Sequence, residues 1–154
     1  MNKQTRLIIK WALVIIWMIV IFMLSNEVAS VSSARSAIIV NDIANTIHVS
    51  LSESILTFLT RKAAHIFVYF VLGILMYSVV KEYGFSTKKA VLLSILFSLS
   101  YASFDEIHQL FVQGRSSEVT DVMIDSTAAS VGVFVHYYMT KIHNVRLNMK
   151  RSEK

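Results

Sequence analysis

Asp105, Glu106 and His108 stand almost side by side, two carboxylates and an imidazole. These types serve as general acids, general bases or metal ligands. Upstream lie Arg61, Lys62, His65 and Tyr69; downstream lie Gln109, Arg115, Glu118, Asp121 and Asp125. Arg61, Lys62 and Arg115 suit an anionic group, such as a lipid phosphate, held by charge-assisted hydrogen bonds. Asp105, Glu106 and His108 would then act as acid or base. The spacing matches neither HExxH nor paired Cys, so a metal is left open. Structural readings stand beside the chemical ones. His65 and His108 each read equally as interior histidines with their bonds satisfied. Asp121 suits the positive end of a helix dipole. Asp125 could be half of a structural ion pair with Lys62, Arg61 or Arg115, or an active group.

The elements that carry these residues are apolar. Of 154 residues, 55% are hydrophobic and only 16% are charged, against about 25% charged in soluble domains. Roughly 20 apolar helical residues cross a hydrocarbon slab about 30 Å thick. Stretches 7–24, 63–80, 90–108 and 122–139 approach that length, and a basic tail, 140–154, follows. The expected fold is all-α, an integral membrane four-helix bundle in a single domain. The first stretch also has the look of a signal peptide, but no convincing A-x-A site follows it, so an uncleaved anchor is expected. Between the first two spans, Ile38, Ile39, Ile43 and Ile47, then Leu51, Ile55, Phe58 and Leu59, recur at helical spacing. That pattern predicts short amphipathic helices at the membrane surface.

The net charge is +5, and the cations sit beside the apolar runs, so topology explains them better than nucleic acid does. Lys3, Arg6, Lys10, Lys81, Lys88, Lys89 and the basic tail fall on one side. Only Arg35, Arg61, Lys62 and Arg115 fall on the other. Cytoplasmic termini are therefore expected, with the chemistry-bearing residues at the outer end. The absence of Cys excludes disulfides, thiolate metal sites and Cys nucleophiles.

Helical periodicity sorts the polar residues into stripes. Lys62, His65 and Tyr69 share one face; so do Ser94, Ser98, Tyr101, Asp105 and His108; so do Asp121, Asp125, Ala128 and Gly132. Lipid offers a charge no partner, so the stripes are expected to face inward. Ala128 and Gly132 would let another helix approach closely.

With these motifs in place, the chain resembles the VanZ-like family of bacterial membrane proteins. The resemblance rests on Lys62, His65 and Tyr69, on Ser103-Phe104-Asp105-Glu106-Ile107-His108-Gln109, on Gly114-Arg115, and on Asp121 and Asp125. Ser25-Asn26-Glu27 adds a weaker match. Gln113 stands where the family usually has Pro, and Phe104 is inserted after Ser103. The resemblance implies a four-span protein of the bacterial plasma membrane; with the clustered charges, the leading expectation is action at the outer face on a cell-envelope component such as an anionic lipid-linked or cell-wall precursor. The resemblance also implies a link to tolerance of the glycopeptide teicoplanin, and it supplies no reaction and no cofactor. Two other functions fit the same residues. One is a non-catalytic interaction module in which the charges fix helix register. The other is a small transporter using Asp125 and His65 as a relay.

Overall fold

The computed structural model describes residues 1–26, 53–113 and 117–152. Among these there are four helices and no strand: α1 (Lys3–Ser25), α2 (Glu53–Glu82), α3 (Thr87–Gln109) and α4 (Val119–Ser152). The expected amphipathic segment from Ile38 to Leu51 lies outside the described residues, as do Arg35, Glu27, Gly114 and Arg115.

Helix α1 begins where the Asn2 side chain accepts a hydrogen bond from the Thr5 amide at 2.7 Å, satisfying a donor that the first turn cannot. Its 23 residues rise about 34 Å at 1.5 Å each, enough to cross a bilayer. Much of its surface is apolar and exposed, including Ile8, Ile15, Ile16, Ile19 and Met23. In water this would be a liability; against acyl chains it costs nothing.

Helix α2 starts earlier than the hydropathy pattern predicts. Ile55, Phe58 and Leu59 are helical, as their spacing requires, but they lie on its first turns and not on a separate surface helix. Thr60, Arg61 and Lys62 contain no helix breaker, so nothing ends the helix before the span begins. Among the described residues, three helical stretches are long and apolar enough to cross a membrane: Lys3–Ser25, Phe58–Glu82 and Thr87–Gln109, of 23, 25 and 23 residues.

Helix α4 is not among them. Its polar stripe and its His136 dilute the apolar run from Val122 to Met139, although its 34 residues exceed the length needed. It also continues through the expected tail to Ser152. No Pro or Gly interrupts Lys141 to Ser152, and Lys150 and Arg151 in the last turn suit the negative end of the dipole.

Among the described residues α2 and α3 each touch the other three helices, α2 most extensively, while α1 meets α2 and α3 and not α4. The closest seam is α2 against α4. A Cβ on Gly73 would sit 2.0 Å from the Ala129 carbonyl oxygen, and one on Gly132 would sit 2.0 Å from that of Phe70. Two backbones therefore touch where side chains would hold them apart. Gly132 was legible as a small residue for close packing; its counterpart Gly73 was not. Around the seam Tyr69, Leu72, Val79, Ala129 and Val133 are fully buried. Between α2 and α3 the chain reverses at Gly84, whose φ of 86° lies in the left-handed region that favours glycine.

Candidate functional site

The antiparallel course of α2, α3 and α4 brings the start of α2, the end of α3 and the start of α4 to one end of the bundle. Each helix delivers polar side chains there, and α1 adds Ser25 and Asn26 from its own end.

Lys62 on α2 forms an ion pair with Asp121 on α4, and its ammonium also sits over the Phe58 ring. One turn deeper, His65 Nδ1 lies 3.4 Å from Asp125 Oδ2. Asp125 is buried, and His65 is partly so. The one-turn spacing of Lys62 to His65 and of Asp121 to Asp125 is what stacks these two pairs.

Asp105 is deeper still in the protein, only 1% exposed. Ser25 donates to its Oδ2 at 2.7 Å, and Tyr69 donates to the same oxygen at 3.1 Å. The other oxygen, Oδ1, is buried and has no hydrogen-bond partner among the described residues. One ligand atom each from His65, Asp105 and Asp125 can be chosen so that all lie within 4.8 Å of one another.

Glu106 turns elsewhere. Its Oε1 accepts from the Glu118 backbone amide at 2.7 Å, and its Oε2 accepts from the Gln109 side chain at 3.4 Å. Glu118 immediately precedes α4, so this carboxylate binds an amide at the positive end of that helix and ties α3 to it. His108 faces α1: its Nε2 lies 3.3 Å from Asn26 Oδ1, and its ring packs on Phe22 with centroids 4.6 Å apart.

Asp105, Glu106 and His108 therefore do not converge, although they are neighbours in sequence. At about 100° per residue Glu106 points well away from Asp105, whereas His108, about 60° from Asp105, shares its face but packs against α1. The structure gathers Asp105 with His65, Tyr69 and Asp125, lodges Glu106 at the head of α4, and leaves His108 on α1. Sequence reading drew attention to Ser25 only faintly, and periodicity within one helix carried no signal that it would meet Asp105 from α1.

Beside the cluster lies a cavity of about 250 Å³ lined by Phe58, Arg61, Lys62, His65, Gln109, Glu118 and Asp121. At about 30 Å³ per molecule this is room for several waters or one small polar group. Lys62 is committed to Asp121, whereas Arg61 has no carboxylate partner among the described residues. The cavity thus offers a cation on its wall and carboxylates below it.

Neither curated proteins nor solved structures gave a match to this chain. A family model described as VanZ/LLP1 does match, over residues 10–140. That interval holds every residue of the polar end named above and the whole of the α2–α4 seam, and the chain accordingly belongs to the VanZ-like family.

Proposed function

We propose that this VanZ-like protein sits in the bacterial plasma membrane with both termini in the cytoplasm. On this reading α4 crosses as the fourth span, and the polar cavity opens at the outer face. There it takes the anionic headgroup of a cell-envelope component, a lipid-linked or cell-wall precursor. Tolerance of teicoplanin would follow from action on such a component.

The observation that carries this reading is Arg61 on the wall of the cavity, without a carboxylate partner among the described residues. A guanidinium in a confined polar space favours a phosphate or carboxylate geometrically as well as electrostatically. Arg115 also belongs to this proposal by its place in the sequence, though it lies outside the described residues.

Copurifying lipid, identified by mass spectrometry, tests the reading. The natural protein is expected to carry an anionic lipid that Arg61→Ala loses while keeping its elution profile. An identical lipid profile in the two proteins removes the headgroup site. Topology is tested separately with a reporter fused after Ser152. A fusion active only on the outer side would remove the fourth crossing and with it the cytoplasmic C-terminus.

A second reading is favoured by one feature: Glu106 and the Lys62–Asp121 pair tie three helices together. If these charges only fix helix register, Glu106→Gln and Lys62→Ala reduce protein level and teicoplanin tolerance in parallel. Under the headgroup reading, Arg61→Ala lowers tolerance at an undiminished protein level.

A further inference from the structure

Two acids buried side by side need a counter-charge, and the described residues supply little. Asp105 and Asp125 are 1% and 2% exposed. The donors to Asp105, Ser25 and Tyr69, are neutral. Lys62 is held by Asp121, one turn away from Asp125. His65 can carry at most one positive charge against two carboxylates. In a medium of low dielectric this arrangement is costly unless a further cation enters or a proton is taken up.

The donor set favours a cation. One ligand atom each from His65, Asp105 and Asp125 lies within 4.8 Å of the other two. Metal–ligand bonds of about 2.0–2.2 Å place neighbouring ligand atoms about 3–4 Å apart, so side-chain shifts of about 1 Å or less would close the set. The Oδ1 of Asp105, fully shielded and without a partner among the described residues, is an independent sign. Its sister oxygen already receives two hydrogen bonds, which fixes the carboxylate plane in the way outer partners orient a ligating group.

We infer that His65, Asp105 and Asp125 form a binding site for one divalent transition-metal ion beneath the polar cavity. One imidazole and two carboxylates suit Zn²⁺, with Mn²⁺ as a weaker occupant. Ca²⁺ is disfavoured because it takes six to eight oxygen ligands. Two aspartates and a neutral histidine bring a charge of −2, which the ion cancels. Tyr69 and Ser25 are positioning residues that act through Asp105. The site goes beyond the headgroup reading and stands without it, because it needs neither Arg61 nor a lipid.

The test uses the full chain, purified in detergent through a tag without histidine. The protein is incubated with Zn²⁺ or Mn²⁺, desalted, and assayed for bound metal by mass spectrometry. About one Zn²⁺ per chain is expected. Asp105→Asn and Asp125→Asn are expected to retain less than about a tenth of that, and Glu118→Gln to retain all of it. Tyr69→Phe leaves the ligands in place and is expected to weaken Zn²⁺ about tenfold or more.

Stability gives a readout that does not depend on the variants folding. Zn²⁺ is expected to raise the melting temperature of the natural protein, and a chelator to reverse the rise. Natural protein that retains no Zn²⁺ or Mn²⁺ and melts at the same temperature with and without them overturns the site. Folded Asp105→Asn and Asp125→Asn proteins that retain as much metal as the natural one do so as well. Neither result would bear on the lipid profile, so the two proposals fail separately.

Discussion

The two ends of the bundle handle charge in opposite ways. At the end holding the N-terminus, Arg6 and Lys10 converge on Glu82 at 2.8 and 2.6 Å. Lys10 also donates to the Ser78 carbonyl at 3.1 Å. Trp11 donates to the Tyr83 hydroxyl at 2.9 Å, and Lys89 rests on the Phe85 ring. Cations outnumber acids there, lie near the surface, and have partners or water. At the other end Asp105, Glu106 and Asp125 lie deep, and Asp105 keeps one oxygen unpartnered among the described residues. The first pattern anchors helices at a membrane surface. The second leaves electrostatic demand unmet inside the protein, which is what a binding site needs and a scaffold avoids.

Both ends depend on the seam between them, so breaking it is expected to have the largest effect. Gly132→Leu forces a side chain into the Phe70 backbone. It is expected to cost about 3 kcal/mol or to prevent folding, read by the melting of the Trp11 and Trp17 fluorescence. Next comes Lys62→Ala, which strands Asp121. A loss of about 1–2 kcal/mol is expected, and Lys62→Arg is expected to recover most of it.

Glu106→Gln tests whether that carboxylate is a fastener. It keeps an acceptor for the Glu118 amide but loses the charge, so about 0.6 kcal/mol is expected, the typical worth of a hydrogen bond between membrane helices. Its bound metal is expected to be unchanged. Glu106→Gln protein stripped of metal would instead place this carboxylate in the deeper cluster. Smallest is Arg6→Ala at the opposite end. Glu82 keeps Lys10, and the pair is exposed, so no resolvable shift in melting is expected. If Arg6→Ala proved as damaging as Lys62→Ala, the contrast between the ends would collapse.

Hydropathy revealed three of the helices because acyl chains demand long apolar runs whatever the tertiary arrangement. It was less decisive for α4, where Asp125, His136 and several hydroxyls break the apolar run from Val122 to Met139. Helices α2 and α4 also run beyond the apolar stretches 63–80 and 122–139, for a related reason. Lys and Arg mark where apolar character stops, but they do not stop a helix.

The inward stripes were readable too, since Lys62 with His65 and Asp121 with Asp125 follow from helical spacing alone. Asp105, Glu106 and His108, grouped by adjacency along the chain, have separate hydrogen-bond partners in the structure. Adjacent positions such as 105 and 106 must diverge on a helix, and Asp105 and His108, though on one face, take different partners.

By itself, then, the sequence determined the helical class, the membrane habit and the set of ionisable residues carried by the spans. These follow from local periodicity and from the energetics of transfer to lipid, which act on each segment separately. Only the tertiary structure decided which of those residues meet. Ser25 reaches Asp105 across 80 positions of chain, and Tyr69 reaches it across 36. Such meetings depend on how helices rotate and approach one another, and here the contact of Gly73 and Gly132 with facing backbone sets that approach.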